Sequence, residues 1–150
     1  MPANQHVRFQ RGNFVVRSID KALLFYRDVL GLELAFMKDS PSDSYSYDVF
    51  EIDKAHKLRF AVLSAPDQPR VLALTEVPTD LTDMPMPRRS AIVVEVGDVD
   101  AVIAGATAAG CKVYAEDELL THDGRRGREV GIVDFDGNLT VIYNIPQAET

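Results

Sequence analysis

Three histidines, one cysteine, a run of arginines and two neighbouring tyrosines are the residues in this chain whose types could do chemistry. His6 lies in a polar N-terminal stretch, His56 in an Asp-Lys-Ala-His turn and His122 in a Thr-His-Asp-Gly loop. These spacings match no metal-ligand motif, and surface histidines are the expectation for all three. His122 keeps the most functional weight, because its loop is expected near a cavity mouth. Arg125, Arg126 and Arg128 form a local basic cluster that could hold a ligand carboxylate or phosphate by bidentate hydrogen bonds. A solvated loop paired with Asp123 and Glu129 is the commoner arrangement for such a cluster. Tyr45 and Tyr47 sit in a polar stretch and fit a lid, a stacking wall or edge-strand packing equally well. Cys111 follows a glycine into an apolar run, so a buried structural thiol is expected. No Ser-His-Asp, Cys-His, phosphate-loop or dinucleotide pattern is present.

Composition limits what these residues can serve. The chain has 150 residues, 46% hydrophobic and 26% charged, which predicts one globular domain with a sizeable core. Nine Gly and eight Pro are too few for a low-complexity chain. The net charge of −7 argues against a nucleic-acid surface or an anionic membrane as partner. A single Cys excludes an internal disulfide. The N-terminus lacks an apolar signal region and no apolar run approaches the ~18 residues of a membrane span, so a soluble, cytoplasmic domain is expected.

The elements that must position these residues come as a repeat. GNFVVRSIDKALLFYRDVLGLEL and SAIVVEVGDVDAVIAGATAAGCKV share one order: a β-branched run, a polar cap, a helical stretch, a glycine and a new apolar run. The first helix starts at Ser18 as N-cap and stops at Gly31; the second starts at Asp98 and stops at Gly110. Strands are predicted over 32–38, 47–52, 58–64, 70–77, 112–115, 128–134 and 139–145. Phe135-Asp136-Gly137-Asn138 joins the last two as a hairpin, since Asp-Gly supplies a residue with positive φ. The pattern predicts an α+β fold of two β-α-β-β-β modules, 9–77 and 90–145, joined by a proline-bearing linker, 78–89. Helices cover one face of curved mixed sheets, and the other face lines a cavity.

The segment Ser18-Ile19-Asp20-Lys21-Ala22-Leu23-Leu24-Phe25-Tyr26-Arg27-Asp28-Val29-Leu30-Gly31-Leu32 resembles the first-helix signature of the vicinal oxygen chelate superfamily, which holds glyoxalase I, bleomycin-resistance proteins and extradiol dioxygenases. Val96-Gly97-Asp98-Val99-Asp100-Ala101 is similar to the start of the family's second helix. Asp134-Phe135-Asp136-Gly137-Asn138 is similar to its DPDGN hairpin, with Phe135 in place of the proline. The resemblance implies metal-ligand positions on the first and last strand of each half, and these fall on Arg11, Ala73, Ala91 and Val141. Three lack a donor atom and the fourth is a permanent cation, so no metal and no cofactor is expected.

Strand alternation from these positions puts Arg11, Asn13, Thr75, Glu95 and Tyr143 on the cavity face as scattered polar groups in an apolar lining. With Tyr47 and Arg128 they are the candidate ligand-binding residues. An Arg11–Glu95 ion pair filling the former metal site is the competing arrangement. The resemblance implies a metal-independent protein that binds a small organic molecule, as bleomycin-resistance proteins do, and the net charge favours a cationic or neutral ligand. The alternative is a glyoxalase-like lyase or isomerase related to lactoylglutathione lyase, with Glu95 as general base and Arg11 or Tyr143 stabilising an oxyanion. A Glu facing an Arg stays ionised and makes a poor base. A subunit that has lost its site is the third reading. Family members commonly complete their cavities from two chains, so a homodimer is expected.

Overall fold

The computed structural model describes residues 8–78 and 89–146. His6 and all but the ends of the expected linker lie outside the described residues. Strand β1 (Gly12–Val16), helix α1 (Ile19–Tyr26), β2 (Glu33–Asp39), the single helical turn α2 (Ser46–Val49), β3 (Arg59–Ala65) and β4 (Gln68–Glu76) form the first half. The second half contains β5 (Ala91–Glu95), α3 (Val99–Ala109), β6 (Lys112–Val113), β7 (Asp117–Leu120), β8 (Arg126–Val133) and β9 (Leu139–Asn144). The first sheet has the order β1-β4-β3-β2, with β1 parallel to β4 and the other pairs antiparallel. The second repeats it as β5-β9-β8-β6, with β7 also pairing with β8. Strands β6 and β7 act as one interrupted strand, so both halves are β-α-β-β-β.

Local chemistry accounts for the helix starts. Ser18 and Asp98 each accept from the backbone N–H three residues on, at 3.2 and 3.0 Å, satisfying a donor that the helix leaves open. Helix α3 ends where expected, on Gly110 at φ 93°. Helix α1 closes earlier than Gly31: after Tyr26 the chain widens into a turn in which the Leu30 N–H reaches the Phe25 carbonyl at 2.8 Å.

The predicted strand over 47–52 is instead the turn α2. Tyr45, Tyr47 and Val49 alternate with Ser44, Ser46 and Asp48 as a strand would, but the Ser44 hydroxyl accepts from the Ser46 N–H at 3.3 Å and favours a turn. The edge strand β7 was missed because Asp117 and Glu118 hide its alternation.

The apolar residues of the inward parity, such as Val16, Leu63, Leu72, Leu74, Ile132 and Ile142, are buried beneath the two helices in one core. Helix α3 also packs against the turn that follows α1: a Cβ on Gly105 would lie 2.9 Å from Val29 Cγ1, so the approach depends on glycine. The two sheets meet along β1 and β5, where a Cβ on Gly12 would lie 3.2 Å from Ile92 Cγ2.

Polar groups then lock the halves together. Buried Asp134 accepts at Oδ1 from the N–H of Asp136 (2.8 Å) and Asn138 (2.9 Å), which shapes its own hairpin. Its Oδ2 accepts from Tyr26 Oη at 2.7 Å and Asn138 Nδ2 at 3.1 Å. Asn138 Nδ2 also donates to the Val15 carbonyl at 3.0 Å, and Asp136 accepts from Arg17 through N and Nε at 3.1 and 2.8 Å. A hairpin of the second half thus grips the β1–α1 corner of the first. Burial raises the Asp134 carboxyl above its ordinary range against the pull of its hydrogen bonds, and burial together with Asp134 raises the Tyr26 phenol well above its own.

On the opposite flank of that corner, Glu76 accepts from the Ile19 N–H at 2.8 Å and from Arg59 Nε and Nη2 at 2.9 and 3.0 Å.

Tyr26→Phe removes a donor from a buried carboxylate and should cost about 1.5–3 kcal/mol in urea denaturation. A loss below about 0.5 kcal/mol would show that the hydroxyl does not hold the halves. The Arg59 hydrogen bonds, with help from the Ile19 N–H, keep the Glu76 carboxyl below the usual range. Its stabilisation is therefore complete above the ordinary glutamate value of about 4.3 and fades as pH falls through the lowered one. Glu76→Gln should flatten the fall in stability on acidification below about pH 5.

Candidate ligand-binding face

Register defines the face turned away from the helices. On the first sheet, one row across the strands reads Asn13, Ala73, Val62, Phe36, and the next reads Val15, Thr75, Phe60, Lys38. On the second, one row reads Val93, Val141, Gly131 and the next reads Glu95, Tyr143, Glu129, Asp117. Val93 is 66% exposed and Phe36 39%, while Ala73, Val62 and Thr75 of the same rows are buried, so the face offers open apolar surface at the first two positions. Phe36 and Phe60 stack edge to face with centroids 5.9 Å apart, and Lys38 Nζ lies 5.7 and 5.6 Å from their ring centres. At one end Tyr47 packs with Leu58, Val77, Val15 and Ile52.

The candidate residues separate into groups. Asn13 and Thr75 come together: Thr75 Oγ1 donates to Asn13 Oδ1 at 3.1 Å. Glu95 and Tyr143 are direct register neighbours. Arg11 does not pair with Glu95; its Nε donates to the Arg70 carbonyl at 3.3 Å, a bond within its own half. The competing arrangement, an Arg11–Glu95 ion pair, is absent among the described residues. Tyr47 is buried and its hydroxyl donates to the His56 carbonyl at 2.7 Å, so it closes the end of the face as a packed plug.

Arg128 is on the other side. It alternates with Glu129 along β8 and turns to Asp100 and Glu116, which accept from it at 2.6 to 2.7 Å. Those carboxylates raise its pKa, and it lowers theirs. Arg125 binds Asp123 at 3.1 Å and Arg126 binds Glu118 at 2.8 Å, so the three arginines disperse to separate acids. Glu129 is not among those acids. His122 is exposed beside this turn. Burial pushes the Cys111 thiol up to about 11, which keeps it protonated at neutral pH.

Glu129, Asp117, Phe36, Phe60 and Lys38 were missed as face residues. Strand alternation carries the signal for each, given the sheet order: Glu129 is two residues from Gly131, and Phe36 and Lys38 are two apart on β2.

The residues present do not fit a divalent metal. Ala73, Ala91 and Val141 offer no donor atom, and among the described residues no three of His, Cys, Asp and Glu come together to hold an ion. Glu95 and Glu129 lie on either side of Tyr143, and two carboxylates alone are fewer donors than a divalent metal site uses. What the row can do is present two carboxylates flanking a phenol beside an apolar floor. Such an arrangement suits a cation with an apolar body.

Solved structures with this architecture include a glyoxalase family protein from Bacillus cereus, 19% identical, with a TM-score of 0.74 over 98% of this chain and 99% of that one. A glyoxylase/bleomycin resistance protein/dioxygenase domain from Frankia sp. is 15% identical, with a TM-score of 0.68 over 97% and 96%. The fosfomycin resistance protein FosX from Listeria monocytogenes, solved with Mn(II) and a sulfate ion, is 13% identical, with a TM-score of 0.59 over 96% and 93%. No curated protein matches the sequence. At these identities the structural neighbours bear on the fold alone. The family model of the Glyoxalase/Bleomycin resistance protein/Dioxygenase superfamily matches residues 5–142, and the chain belongs to that superfamily.

Proposed function

We propose that this protein binds a small cationic organic molecule on its helix-free face, without a divalent metal and without turnover. One observation carries the reading: Arg11, Ala73, Ala91 and Val141 stand where the metalloenzymes of the superfamily place ligands, and three of the four have no donor atom. An apolar floor of Val93, Val141 and Ala73 supplies burial, and the Glu95–Tyr143–Glu129 row supplies charge complementarity and an aromatic edge. The reading extends to a second copy of the chain as cover for the face, since Val93 at 66% exposure and Phe36 at 39% leave apolar surface on one side. It also takes the protein as cytoplasmic. Among the described residues no helix is long and apolar enough to cross a membrane.

A thermal-shift screen of the purified protein against cationic, neutral and anionic small molecules tests the ligand class. A cationic ligand at about 100 times its Kd should stabilise by about 2.7 kcal/mol. Glu95→Gln combined with Glu129→Gln should weaken that ligand by about tenfold or more, since each carboxylate contributes a charge-assisted contact. Hits confined to anions, or an unchanged affinity in the double variant, would overturn the reading. Turnover of a hemithioacetal lost in Glu95→Gln would favour the lyase or isomerase instead. Light scattering should give twice 16.6 kDa, and Val93→Asp should return the mass to that of one chain; a monomer in the unaltered protein would remove the second copy from the account.

A further inference from the structure

A cleft of about 320 Å³ opens at the hairpin end of the second sheet, between Lys21 in the first turn of α1, Gly110 after α3, Lys112 and Tyr114 at β6, and Asp134 and Phe135 at the β8–β9 hairpin. None of these residues belongs to the Glu95 row. Two ammonium groups and two aromatic rings meet here: Lys21 Nζ lies 4.6 Å from the centre of the Phe135 ring, and Lys112 Nζ lies 4.6 Å from that of Tyr114. Neither lysine is in an ion pair with a described carboxylate. The same holds for Lys38, Lys54 and Lys57, so what sets Lys21 and Lys112 apart is that they share one cleft with two aromatic rings. The one carboxylate lining the cleft, Asp134, already accepts four hydrogen bonds from its own hairpin and Tyr26.

We propose that this cleft binds a small aromatic anion, a single ring bearing a phosphate or carboxylate, with its charge held by Lys21 and Lys112 and its ring against Phe135 and Tyr114. The size sits at the lower end of small-molecule pockets, enough for one ring and one anionic group. The cation–π contacts hold both ammoniums at the cleft before any ligand arrives, which lowers the ordering cost of binding. Phe135 stands where the resemblance puts a proline, and its ring forms this wall.

Amide NMR titration with phenyl phosphate and with benzoate tests the proposal and separates the two anions; inorganic phosphate and benzyl alcohol test charge without ring and ring without charge. At least one aromatic anion should shift Gly110, Lys112 and Phe135 saturably, about tenfold more tightly than either control. Lys21→Gln with Lys112→Gln should weaken it by about tenfold or more, with an unchanged melting midpoint because both side chains are exposed. Phe135→Leu should weaken it less. The proposal fails if neither aromatic anion gives saturable shifts at millimolar concentration, if the shifts map to Val93 and Val141 instead, if the double lysine variant binds as before, or if benzyl alcohol binds as tightly.

Discussion

The carboxylate of Asp134 is the constraint on which the rest of the molecule depends. It is buried at the seam between two sheets that share no strand pairing among the described residues, and such a group is tolerated only when its lone pairs are filled. Three of its donors come from its own hairpin and one from Tyr26 in the other half. The same group therefore shapes the hairpin and ties the halves. Apolar contact between α3 and the turn that follows α1, and between Gly12 and Ile92, brings the sheets together but is not directional. The hydrogen bonds of residues 134–138 select one relative placement, and with it the layout of the open face.

That layout decides what the face can do. Strand alternation puts the apolar residues of one parity under the helices and leaves the other parity outward, so each row inherits its chemistry from sheet order. The Glu95–Tyr143–Glu129–Asp117 row arises because β9 lies between β5 and β8 and β7 follows at the edge. It spreads its carboxylates along a line instead of gathering them at a point. A line of charge matches an extended organic cation, whereas a metal ion needs donors converging on one centre.

Much of the architecture was legible in the residues. Ser18 and Asp98 as caps, Gly110 as stop and Asp-Gly at the hairpin are each local signals with a mechanical reason, and each appears where expected. The segment around Tyr47 was not legible as a helical turn, because one turn has no periodicity to display. The site was legible in part. Asn13 with Thr75, and Glu95 with Tyr143, follow from alternation once the strands are known. Arg128 was grouped with its loop neighbours Arg125 and Arg126 although the predicted strand begins at it. Read as the strand β8, the same alternation puts it on the side of Val130 and Ile132, toward Asp100 on α3. Arg11 was tied to Glu95 on the proximity of two strands, but guanidinium groups at strand starts have backbone carbonyls nearer to hand.

The hairpin's reach has a consequence for the order in which the chain can become native. The Val15 carbonyl and the Tyr26 hydroxyl wait for partners 123 and 108 residues later in the sequence. A ribosome delivers those partners later, so the first half emerges with a polar corner it cannot satisfy from within. The corresponding turn of the first half, Ala65 to Gln68, makes no hydrogen bond to a described residue of the second, so the dependence runs one way. Such a pair of similar units is expected to gain its structure as one cooperative event, and only once residues 134–138 have been made.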